Sequence, residues 1–296
     1  MGQHIELDPT RSAMARLFAR SLTSPTWSLS VISATVATVA ALTHDRAFAQ
    51  GRLEASYSIS AARITIGNAS VSAEIGETDY TASMSARGSG VMRILSSGDG
   101  NLKIQGHILD GVPVPDRYVS STTADDDTLD VKMSFENGVA TALEASPPPQ
   151  SDDRVALTEQ HRVGVMDPLT ALFVPAGDGG PKETACARVL PIFDGRRRYD
   201  LKLAFKRIDQ VKAGQGYEGP VVVCSMALLP IAGHRKSSPM LKFLTEGREM
   251  EIAFAPVAGT TLLAPLRVTV FYMLGNVVMQ ATRFSTSPAT TGAAPR

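Results

Sequence analysis

Leu53-Glu54-Ala55-Ser56-Tyr57-Ser58-Ile59 alternates apolar and polar side chains, and the alternation resumes at Ile64 and Ile66 and again at Val71, Ala73 and Ile75. Successive side chains of a strand point to opposite faces, so a period of two specifies strands with one face buried. Turn dipeptides then punctuate the chain. Asn137-Gly138 separates Lys132–Phe135 from Val139–Glu144, Asp194-Gly195 separates Val189–Phe193 from Arg196–Phe205, and Gly275-Asn276 separates Val268–Leu274 from Val277–Phe284. Such dipeptides accept positive φ, and each predicts a two-residue hairpin.

The run from Val221 to Leu229, bounded by Pro220 and Pro230, is apolar almost throughout, which predicts a strand covered on both faces. With Val189–Phe193 and Leu201–Phe205 it forms a three-segment core unit. Helical signals are few. Asp167-Pro168 ahead of Leu169–Phe173 and Ser238-Pro239 ahead of Met240–Leu244 each combine an N-cap with an early proline, and Gly247 follows the second. Val91–Leu95 is too short to assign. With aromatic residues at 6% and many short strands, the fold class is mainly β: a twisted antiparallel sheet curled into a barrel, half-barrel or spiral, with a few short helices.

The N-terminus reads as a targeting segment. Arg11, Arg16 and Arg20 precede the uncharged stretch Trp27–Leu42, and Ala47-Phe48-Ala49 places small residues where a signal peptidase reads. Residues 1–49 are therefore expected to be a signal peptide cleaved between Ala49 and Gln50, and the mature chain is expected in the periplasm. A membrane anchor is the competing reading, but Ser28, Ser30, Ser33, Thr35 and Thr38 dilute the stretch. No Cys follows it to carry a lipid, and Glu6 sits where a myristoylation signal needs Ser or Thr. Met1 and Met14 are alternative starts that leave the mature chain unchanged. Residues 50–285 are expected to form a single β-rich domain with a possible internal linker at 146–153, around Pro147-Pro148-Pro149, and residues 286–296 a disordered tail.

Composition excludes some function classes. The 296 residues carry 29 Lys plus Arg against 29 Asp plus Glu, so no overall field attracts nucleic acid or an anionic membrane. The two cysteines, Cys186 and Cys224, both fall in the segment expected to be exported, where thiols oxidise, and are expected to pair. Neither has CxxC spacing or a His within four positions, which weakens a metal or reactive-thiol alternative.

Val165-Met166-Asp167-Pro168-Leu169, Cys186, Phe193-Asp194-Gly195-Arg196-Arg197-Arg198-Tyr199, Cys224 and Pro230-Ile231-Ala232-Gly233-His234 in this order resemble a family of exported proteobacterial proteins catalogued as domain of unknown function 3108. The likeness runs from about Leu53 to about Phe271. It implies a β-rich envelope protein and carries over no catalytic residue.

Candidate chemistry is sparse, and no catalytic, cofactor or metal motif emerges. His107, His161 and His234 lack metal spacing, and no GxSxG elbow occurs in the mature chain. Asp167 with Pro168 reads as a helix cap, and Asp194 with Gly195 as a turn; an acid–base pair would need the fold to bring the two carboxylates together. Arg196 and Arg198 share a face if they lie on a strand, with Arg197 pointing away, and so form a candidate anion or partner contact; charge guarding a strand edge is the plainer alternative.

Three functions compete on these grounds. The leading one is an exported, non-enzymatic protein that holds a lipid-like ligand or a partner protein on the concave apolar face of a curved sheet. The others are a hydrolase or transferase using Asp167, His234 or His161, and an envelope-assembly module acting by strand addition. Mass spectrometry of the chain recovered from a periplasmic fraction is expected to find Gln50 at its N-terminus; retention of Ala49 and the residues before it would favour the anchor.

Overall fold

The computed structural model describes residues 51–89, 98–124, 127–148, 153–177, 180–212, 216–246, 250–272 and 275–288. The expected signal segment with its Ala49/Gln50 cleavage point, Val91–Leu95, Gly247 and most of the expected tail lie outside these residues.

Fourteen strands form one antiparallel sheet. In chain order they are β1 (Gly51–Ala61), β2 (Ile64–Ile75), β3 (Asp79–Gly88), β4 (Asp99–Leu109), β5 (Val112–Ala124), β6 (Asp127–Glu136), β7 (Val139–Ser146), β8 (Val174–Pro175), β9 (Arg188–Phe193), β10 (Arg198–Val211), β11 (Gly219–Ala232), β12 (Met250–Pro256), β13 (Leu262–Tyr272) and β14 (Gly275–Pro288). Two meanders, β1 to β7 and β9 to β14, are joined where β1 pairs with β14, and β8 adds to β13. β14 continues to Pro288, so residues 286–288 of the expected tail are strand.

The alternation read at Leu53–Ile75 sends Leu53, Ala55, Tyr57, Val71, Ala73 and Ile75 into a large core, but Ile64, next to the turn that opens β2, is exposed instead of buried. β11 is buried on both faces over Val221–Cys224, as its apolar run predicts, whereas Ala227 and Leu229 towards the end of that run are exposed. Val221 and Val223 belong to that core, while Val222, Cys224 and Met226 belong to a second one on the opposite face. The second core is covered by the strap between Ala171 and Cys186, and Leu244 of a single described α-helix, α1 (Pro239–Thr245), packs against it. Ser238 caps α1 by accepting the Leu241 N–H.

The sheet does not close into a barrel. Its edge strands are β7 and β9, and a four-residue segment lies between them. Val163 bridges Val139, Val165 N–H donates to Gly138 O (3.0 Å), Met166 N–H donates to Pro191 O (2.9 Å), and Phe193 N–H donates to Met166 O (2.9 Å). Main-chain groups of Val163–Met166 thus satisfy parts of both edges, which otherwise present unpaired donors and acceptors.

Two of the three expected hairpin turns differ from their sequence reading. Asn137 and Gly138 both have positive φ and make the expected two-residue turn. Asp194 to Arg197 is a four-residue connection, because the Asp194 carboxylate binds the N–H groups of Arg196 and Arg197 and holds both out of β10. Gly275 and Asn276 are ladder residues paired with Tyr272 and Phe271, so that reversal precedes them, outside the described residues. Asp110-Gly111 makes an additional two-residue turn between β4 and β5.

Cys186 and Cys224 are joined in a disulfide, both fully buried, with Cα atoms 5.5 Å apart. The bond ties the strap to the doubly covered strand. Closing a loop of 38 positions restricts the unfolded chain by about 4 kcal/mol in the chain-entropy account. Urea unfolding of the Cys186→Ala/Cys224→Ala double variant is expected to show a loss of up to about 4 kcal/mol; an unchanged midpoint would mean that apolar packing alone holds the strap.

Candidate functional site

Asp167 follows directly on the segment that bridges the two sheet edges. It is completely buried, and its Oδ1 accepts the N–H groups of Leu169 (2.8 Å) and Thr170 (2.9 Å), passing over Pro168, which has no N–H to offer. Oδ2 accepts the Thr170 hydroxyl proton (2.5 Å). That hydroxyl has one proton, so the Tyr80 phenol must donate to Thr170 Oγ1 (2.8 Å), and the chain runs Tyr80 to Thr170 to Asp167. The expected helix is a single 3₁₀ turn, Thr170–Leu172, because Val174 is already paired with β13. Burial pushes the Asp167 carboxyl up to about 6, outweighing the hydrogen bonds that pull it down, and burial likewise raises Tyr80 and Tyr118.

The structure does not assemble the residues of the hydrolase reading. Asp167 is sealed inside with Tyr80. His161 Nδ1 accepts the Thr158 N–H (3.1 Å) within its own turn, and His107 binds Asp116 (2.9 Å) on the exposed face. No group of three or more His, Cys, Asp or Glu able to hold a metal occurs among the described residues.

His234 instead lines a pocket of about 390 Å³ at the ends of β10 and β11, with α1 as one wall. The floor is apolar: Tyr199, Leu228, Pro230 and Ala232 from the sheet, Leu241 and Leu244 from α1. Burial raises the Tyr199 phenol. Arg154, Arg197, Arg198 and Arg235 surround this floor with Asp194. Arg154 is committed to Gly233 O (2.6 Å), and Arg198 binds Asp200 and its neighbour's carbonyl. Arg197 meets Asp194 only at 3.5 Å, and Arg235 forms no ion pair among the described residues.

Two glycines allow this end of the molecule to close. Gly195 has φ +86°, and a Cβ there would collide with Val131 of β6, so the turn packs directly on the other meander. At Gly233, with φ +78°, a Cβ would strike the Arg196 carbonyl. Beside it, Gly233 N–H donates to Val155 O (2.8 Å) and Val155 N–H to His234 O (3.0 Å), which stitches the chain after the expected linker to the end of β11. His234 Nδ1 is buried without a hydrogen-bond partner among the described residues.

The arginine pair expected to share a face is not the pair at the pocket. Arg196 turns away, donating to Pro147 O (2.6 Å), while Arg197 and Arg198 line the cavity together. Strand alternation does not govern Arg196 and Arg197, since the Asp194 turn contains both. Val165, Leu169 and Phe173 pack into the core against β1 to β7, on the sheet face where the sequence reading placed a ligand. A second hollow, about 560 Å³, opens beside Val221, Val223 and Leu266 and is crossed by the polar group Arg207, Asp209 and Glu251. Hydrogen bonding to Lys206 lowers the Glu251 carboxyl.

The raised Asp167 value sets the sign of a pH effect. The folded state holds the proton more tightly than an ordinary carboxyl near 3.8, so stability from this group is greatest below that value and falls as pH rises to about 6. The full difference is about 3 kcal/mol. Denaturant titrations at several pH values are expected to show this decline in the parent and its loss in Asp167→Asn, which retains an acceptor for the two N–H groups; matching profiles would assign the pH dependence elsewhere.

No curated protein sequence matches the chain. Among solved structures it is similar to the crystal structure of a beta-barrel-like protein of domain of unknown function DUF1849 from Brucella abortus, at 12% identity and TM-score 0.44, covering 80% of this chain and 98% of that one. The sequence matches the family described as protein of unknown function (DUF3108) over residues 56–282, most of its length, and the chain belongs to that family.

Proposed function

We propose that this chain is an exported binding protein of the periplasm that holds a lipid-like, anionic amphiphile in the pocket under α1. The carrying observation is the juxtaposition of an apolar floor, including Leu228, Leu241 and Leu244, with Arg197 and Arg235. An apolar cleft with a few convergent polar groups is the usual form of a small-molecule site, and a guanidinium favours carboxylate or phosphate. Export rests on the expected signal segment and is supported by the disulfide.

A second reading, strand addition by a partner protein, is favoured by the open sheet. β7 ends it, and on the outer side of β7 only Val139 is bridged among the described residues. The two readings differ in what accompanies the protein. Native mass spectrometry of chain purified from cell envelopes without detergent is expected to show a small-molecule adduct that Leu241→Arg abolishes. A bare chain yielding no extractable amphiphile would remove the first reading, and a stoichiometric protein partner retained by Leu241→Arg would establish the second.

A further inference from the structure

We propose that the hollow beside Val221, Val223 and Leu266 is a second binding site, which takes a compact ligand bearing at least two carboxylate or phosphate groups and holds them at Arg267 and Lys212. It lies at the opposite ends of β10 and β11 from the α1 pocket and does not depend on what that pocket holds.

Strand register builds the hollow. Arg207 of β10, Val223 of β11, Ala253 of β12 and Arg267 of β13 are successive ladder partners, so their side chains share one face. The two arginines stand roughly 14 Å apart at the backbone, three strand spacings, with only the short side chains of Val223 and Ala253 between them. Val221, Val223 and Leu266 belong to the large core and give the hollow an apolar floor.

Internal pairing divides the cations here into two groups. Arg207 donates to both oxygens of Asp209 (3.0 and 2.9 Å) and to Glu251 Oε2 (3.3 Å), while Lys206 holds Glu251 Oε1 (2.8 Å). Both acids that line the hollow are therefore engaged from β10. Glu251, opposite Thr269, is the acid nearest to Arg267 in register, and neither of its oxygens is left for Arg267. Arg267 and Lys212, which follows the end of β10, are exposed and form no ion pair or side-chain hydrogen bond among the described residues. Lys206, Arg207, Lys212 and Arg267 thus face two carboxylates, in a chain whose overall charge is zero. Unbalanced charge against an apolar wall focuses the field and attracts the opposite sign. A surplus of two positive charges fits a dianion or trianion, and carboxylate or phosphate oxygens accept charge-assisted hydrogen bonds from both free cations.

Isothermal titration of the chain purified from cell envelopes with citrate, pyrophosphate, acetate and spermidine tests the assignment. One citrate or pyrophosphate is expected to bind per chain, and the tighter of the two identifies the preferred group as carboxylate or phosphate. Acetate and spermidine are expected to bind at least about tenfold more weakly. Arg267→Gln and Lys212→Gln are each expected to weaken both polyanions about tenfold. Their melting temperatures should stay unchanged, because neither side chain has an internal partner to lose. An Arg197→Gln/Arg235→Gln variant, altered only at the α1 pocket, is expected to bind the polyanions as the parent does. Loss of binding in that variant alone would place the anions under α1 and overturn the second site. Full affinity in Arg267→Gln and Lys212→Gln, or binding of neither polyanion, would overturn it too, and acetate binding as tightly as citrate would overturn the requirement for two groups.

Discussion

The constraint on which the rest of this structure depends is the need to satisfy two sheet edges that never meet. Fourteen antiparallel strands curl far enough to bring β7 toward β9, but no ladder joins them. Val163–Met166 fills the interval with main-chain hydrogen bonds to both sides, and Asp167 immediately afterwards turns the chain inward through its own carboxylate. The bridging segment and the plug that packs into the core are therefore one continuous element. Bridging the two edges and packing the core against β1 to β7 are done by the same dozen residues, a joint solution that closed barrels do not need.

This economy has a chemical consequence. A plug that enters the core must bring its backbone polar groups with it, and Asp167, Thr170 and Tyr80 satisfy them through an ordered chain of hydrogen bonds. The carboxylate stands in a medium that disfavours its charge, which is why its proton affinity rises despite three hydrogen bonds. Such a raised value in an unassigned structure often marks catalysis, yet here the group is sealed away and its partners are those of a cap. The proposed binding pocket lies instead at the β10–β11 termini, where Gly195 and Gly233 let the turns approach closely and α1 supplies a wall.

Much of the fold was legible in the sequence because strand patterning is local. Leu53, Ala55 and Tyr57 point inward as their spacing requires, Val221–Cys224 is buried on both faces as an unbroken apolar run implies, and Asn137-Gly138 turns where it should. Misreadings arose where a side chain competed with the ladder. Asp194 captured two backbone N–H groups and lengthened its turn, which moved Arg196 and Arg197 off the strand and broke the alternation assumed for them. The candidate pocket was only half visible: His234 was noted, but Arg154 and Arg235 are brought to it by a bridge between positions 81 apart, and nothing local announces such a pairing.

The sequence by itself determined the class of the fold, the family and the cysteine pair available for a disulfide, because alternation, motif order and cysteine count are properties of neighbouring residues or simple inventory. Only the tertiary structure decided that the sheet stays open, that the chain's own plug packs into the core, and that the basic pocket lies beneath α1. Those outcomes depend on which distant backbone groups meet and on how much volume the packed side chains leave, and neither quantity exists until the sheet has curled.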